Sequence, residues 1–81
     1  MLACITTSEQ IRLRKFSPVD RASPLFEAVI GDEIVFDIGE RNGRFDIAFH
    51  PGATKYTIDV DVFTAVVADA KERIAAALMN D

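Results

Sequence analysis

Asn42-Gly43 constrains this chain more than any other pair of residues. Both residues tolerate positive φ, which a two-residue type I′ hairpin turn requires. Both flanks also alternate. Before the turn, Ile34, Phe36 and Ile38 fall on one side of residues 33–38, with Glu33, Val35 and Asp37 on the other. After it, Phe45, Ile47 and Phe49 alternate with Arg44, Asp46, Ala48 and His50. A two-residue loop pairs Arg41 with Arg44 and so sets Ile38 opposite Ile47 and Phe36 opposite Phe49. The two apolar sets then share one face, as register demands wherever one face is buried. Four- and six-residue loops keep the same parity, so the pattern supports the hairpin without fixing its loop.

An apolar sheet face needs a cover, and the C-terminal quarter supplies one. Phe63, Val66, Val67, Ala70, Ile74, Ala77 and Leu78 recur at the i, i+3, i+4 spacing of an amphipathic helix. The spacing predicts a helix over 60–79. Asp59 is its N-cap, Ile58 and Phe63 form a hydrophobic staple, and Asp61 sits in the first turn, where its charge suits the helix dipole.

The remaining segments are shorter. Residues 10–16 alternate around Ile11 and Leu13, with Arg12 and Arg14 between them, and read as a half-exposed strand. Residues 2–7 suit a further short strand, with Ser8-Glu9 as the turn. Residues 55–58 suit a third strand of the meander after the Pro51-Gly52 turn. Residues 23–31 carry conflicting signals. Ser23 at N-cap, Pro24 at N1 and Gly31 at C′ favour a short helix over 24–30. As a strand, the same residues would put Phe26, Ala28 and Ile30 on one face. The expected fold class is α+β: a small antiparallel β-meander of three to five strands packed against one long C-terminal helix. The 81 residues form a single domain, 1–81, with an N-terminal strand arm at 1–22 and the sheet and helix at 23–81.

Composition narrows the function. The single cysteine, Cys4, allows no intrachain disulfide, and the single histidine, His50, allows no Cys/His zinc set. Cys4 reads as a small buried hydrophobe. Leu2-Ala3-Cys4 resembles the end of a lipoprotein cleavage site, but no charged or apolar leader pattern precedes it. No apolar run approaches the ~20 residues that span a bilayer, and the expected setting is cytoplasmic, away from membranes. Neither cofactor nor metal is expected, because no phosphate-binding glycine loop and no calcium-loop pattern is present.

The net charge of −4 is uneven. Residues 1–24 hold four bases against two acids, and the remainder holds five against eleven. The overall sign disfavours nucleic acid. Arg12, Arg14 and Lys15 suit the protection of an edge strand better than contact with a nucleic-acid backbone.

His50 is the one candidate general base near neutrality. The hairpin register puts it opposite Val35 on the outer face, with Asp37 and Asp46. One histidine with no evident partner is a thin basis for catalysis. The expected function is therefore a non-enzymatic protein-interaction module, in the manner of immunity proteins, antitoxins or phage inhibitors that cover a basic partner surface. Glu33, Asp37, Glu40, Asp46 and His50 are its candidate contact residues. A homodimeric assembly subunit is the alternative, motivated by 49% apolar residues in so short a chain. A small ligand-binding protein or enzyme using His50 is the third reading.

Overall fold

The computed structural model describes residues 5–6, 10–19 and 23–79. Its main layer is a four-stranded antiparallel sheet in the order β2-β3-β4-β5, comprising Ile11–Phe16, Leu25–Ile30, Glu33–Arg41 and Arg44–Phe49. The second layer is helix α1, Val60–Met79. The α+β meander with one long C-terminal helix is therefore the fold. A separate parallel pair joins β1, Ile5–Thr6, to β6, Thr57–Ile58. Cys4 and the Ser8-Glu9 turn lie outside the described residues, as does most of the strand expected over 2–7.

The β4–β5 hairpin has the register the alternation requires. Arg41 pairs with Arg44, Ile38 with Ile47 and Phe36 with Phe49. Asn42 and Gly43 take φ of 54° and 82°, as a type I′ turn needs. Helix α1 begins where Asp59 caps it: the carboxylate Oδ1 accepts the amides of Asp61 and Val62 at 2.9 and 3.2 Å. Its stripe of Val66, Ala70 and Ile74 is buried against Phe26, Ala28, Phe36 and Ile38. Each large side chain so buried contributes about 1.5–3 kcal/mol of gross transfer energy.

Three expectations are corrected. Residues 24–30 form no helix; Leu25–Ile30 is a central strand, paired with β2 on one side and β4 on the other. Two ladders and the burial of Phe26, Ala28 and Ile30 outweigh local capping signals. Each of those signals has another use. Pro24 precedes the strand, where its missing N–H costs no ladder bond. The Ser23 hydroxyl donates to the Glu40 carbonyl at 3.2 Å instead of capping. Gly31, at φ 61°, serves the turn into β4.

Residues 55–58 do not extend the meander. Pro51–Lys55 winds into a 3₁₀ turn, and only Thr57–Ile58 is extended, on β1 and away from the main sheet.

The third correction concerns the faces of β4. Ala28 pairs with Phe36 and Val29 with Ile34, so Val35 has no partner on β3: a β-bulge. Val35 is consequently 1% exposed and part of the core, whereas Ile34 is partly exposed and outside it. The strict alternation of residues 33–38 breaks at that point, and Glu33 shares the helix-side face with its partner Ile30.

Candidate functional site

The two faces divide the expected acidic contact residues, Glu33 through the bulge and Glu40 through the strand parity it shares with Phe36 and Ile38. Asp37 and Asp46 are on the outer sheet face. Glu33 and Glu40 are on the helix side, near opposite ends of β4.

Glu33 is held by the segment that follows β5. Its Oε2 accepts Lys55 Nζ at 3.0 Å and its Oε1 accepts the Tyr56 hydroxyl at 3.1 Å. A Cβ on Gly52 would come within 2.5 Å of the Glu33 carboxylate, so glycine is what lets that side chain lie down. The Lys55 hydrogen bond holds the Glu33 carboxyl below its ordinary 4.5, helped by Tyr56 and opposed by desolvation. The same bond raises Lys55, while desolvation and then Glu33 raise Tyr56. Glu40 serves the hairpin: its Oε2 accepts the Gly43 amide at 2.7 Å.

On the outer face, register lines up Arg14, Glu27 and Asp37 across three strands. Glu27 Oε1 accepts Arg14 Nε and a terminal guanidinium nitrogen at 3.0 and 2.8 Å. Asp37 Oδ2 lies 2.9 Å from His50 Nε2, and the His50 amide donates to the Val35 carbonyl at 2.9 Å. His50 thus has a side-chain partner as well as the backbone contact expected at a strand end. The signal for it was in the hairpin register, since His50 is the diagonal neighbour of Asp37 beyond Ala48, within reach of a long side chain. Each carboxylate of this row is matched by a cationic or imidazole partner, which makes the row a cross-strand charge ladder. Among the described residues no cluster of three or more His, Cys, Asp or Glu could hold a metal ion.

The feature that sequence reasoning missed is on the other face. Every residue of β5 is exposed, including Phe45 at 41%, Ile47 at 38% and Phe49 at 62%, although all three point to the helix side. Helix α1 packs on β2, β3 and β4. One helix is about 10 Å across, and four strands at ~4.8 Å spacing are wider than that. Counting strands against helices would have given the signal. The uncovered margin is a groove of about 150 Å³ lined by Ile38, Phe45, Asp46, Ile47, Phe63 and Val67. Phe63 of that lining packs against the rings of Phe36 and Phe49, the three centroids lying 5.3–6.4 Å apart, and Lys71 Nζ sits 5.1 Å from the Phe45 ring centre.

Beside the groove, β5 ends the sheet and has a free edge among the described residues. No described helix is long and apolar enough to cross a membrane. Compared with known protein families, with characterised proteins and with solved structures, the chain matches none.

Proposed function

We propose that this chain is a non-enzymatic protein-binding module whose working surface is the β5 edge together with the groove between β5 and α1. The observation that carries this reading is the exposure of Phe45, Ile47 and Phe49 along one strand that the helix covers only in part. An apolar edge of this kind accepts a further strand, with main-chain hydrogen bonds supplying affinity and flanking pockets supplying specificity. The surface suits either of two modules: an assembly subunit that meets its own kind, or an inhibitor that meets a different protein.

The acidic form of the inhibitor reading rests on the net charge of −4. It draws no support from a continuous strip, because Glu33 and Glu40 are engaged on the helix side. Asp37 is engaged with His50, which leaves Asp46 apart from the other acids on the outer face.

A photoreactive amino acid at Phe49, with a control at Arg14, tests the reading in the cells that make the protein. Protein adducts at position 49 and none at 14 are expected. Equal labelling at both positions, or none at either, would remove the β5 surface from consideration.

A further inference from the structure

We infer that the occupant of the β5 edge is a second copy of this chain, paired antiparallel about a two-fold axis through Ile47 to make one continuous eight-stranded sheet. This rests on the reading of β5 as a protein-binding edge and adds the partner and its register.

The hairpin fixes which main-chain groups are available. Arg44 closes a two-residue turn with Arg41, and the His50 amide donates to Val35. Residues bonded to β4 alternate along an antiparallel strand, so Arg44, Asp46 and Ala48 spend their N–H and C=O groups on β4, while His50 gives its N–H to Val35 and its C=O to the Ala53 amide. Phe45, Ile47 and Phe49 direct theirs to the free edge. The groups offered for pairing therefore belong to the same three residues whose side chains are exposed on the helix side.

Self-pairing in a register centred on Ile47 uses all of them. Ile47 lies opposite Ile47 of the second copy, and Phe45 lies opposite Phe49 in both directions. Each such pair exchanges both main-chain bonds. On the outer face, Asp46 meets Ala48 of the second copy and Arg44 meets His50, whose ring is held by Asp37, so no two carboxylates stand directly opposite. The neighbouring registers are worse. Centring on Asp46 puts two carboxylates directly opposite in a non-hydrogen-bonded pair, the closer kind at about 4.5 Å. Centring on Ala48 leaves Phe45 opposite Pro51. An odd shift sets Phe45 and Phe49 against outer-face residues of the other copy.

The strand is also locally balanced, with Arg44 against Asp46. The repulsion of two −4 chains acts over distances that physiological salt screens within about 8 Å. A two-fold pairing closes on itself and leaves the charged β2 edges outermost.

The test is a pair of single-cysteine variants in a Cys4→Ser background. The Ile47→Cys side chains would face each other across the axis, with Cα atoms about 5.5 Å apart, inside the range a disulfide spans. Mild oxidation should cross-link Ile47→Cys at least about tenfold faster than Asp46→Cys, whose partner position is Ala48. Light scattering on the wild type at tens of micromolar should give twice the 8.9 kDa chain mass. Phe49→Lys, at the most exposed of the three sites, should give the single mass with its helical circular dichroism intact.

A monomeric wild type overturns the inference. So does faster cross-linking through Asp46→Cys, or a mass that climbs without limit as head-to-tail β5–β2 pairing would produce. A monomer whose position 49 still labels a different protein would leave the module reading standing while this one falls. A monomer that labels nothing would end both.

Discussion

The sheet has two edges, and they are built on opposite plans. β2 carries Arg12, Arg14 and Lys15, all exposed, and two of these are tied down. Arg12 donates to the Gly31 carbonyl at 2.9 Å, and Arg14 pairs with Glu27 at 2.8 Å. A strand bearing cations fixed in place resists the addition of another strand, because the incoming chain must desolvate or displace them. β5 has one cation, Arg44, at its turn end, and it presents two phenylalanines and an isoleucine to solvent beside an open groove. The same four strands thus offer one cationic margin and one apolar margin. A chain with both margins cationic would stay alone, and one with both apolar would polymerise. On the proposed pairing, a single apolar margin gives an association that stops.

The most drastic way to break the contrast is to remove the β2 charges. Arg12→Val with Arg14→Val should turn β2 into a second apolar edge, and light scattering should then show mass rising steadily with concentration. An unchanged mass would mean that those residues protect nothing.

Ile74 supports both edges, because it is fully buried against the sheet core. Ile74→Ala should cost about 2–5 kcal/mol in denaturant unfolding, with no preference for either edge in hydrogen exchange.

Gly43→Ala acts on one edge alone. At φ 82° a Cβ is strained by about 1–2 kcal/mol. Exchange should quicken in β5 amides bonded to β4 and stay unchanged in β2. Equal quickening would show that the hairpin turn does not hold β5 independently.

The smallest effect lies away from both edges. Glu33 has its folded pKa depressed by Lys55, so its contribution to stability is fully present above 4.5 and is lost as pH falls through its lower folded value. The wild type should lose more thermal stability than Glu33→Gln across that acid window. Association through β5 should be the same in both proteins. Parallel losses would remove Glu33 as the cause.

Much of this fold was legible in the residues. The hairpin could be read because turn chemistry at Asn42-Gly43 and side-chain parity agreed. The helix could be read because Asp59, Phe63 and the Val66-Ala70-Ile74 stripe agreed. Residues 24–30 were misread because Ser23, Pro24 and Gly31 are ambiguous punctuation: the same left-handed glycine ends a helix or turns a hairpin, and only the two neighbouring strands decide. The bulge at Val35 left no local mark, since the alternation of residues 33–38 looks unbroken until β3 is aligned against it. That is why Glu33 was expected beside Asp37.

The candidate surface was half legible. Phe45, Ile47 and Phe49 were recognisable as an apolar set, but their exposure depends on how far one helix reaches across four strands. That is a property of the assembled layers and not of any segment.

Amide exchange of β5 followed through a dilution series separates pairing at that edge from a lone sheet. The outward-pointing amides of Phe45, Ile47 and Phe49 should gain protection as concentration rises, while amides at the free edge of β2 exchange at one rate throughout. Protection that is independent of concentration at Phe45, Ile47 and Phe49, or that rises equally at both edges, would contradict that pairing.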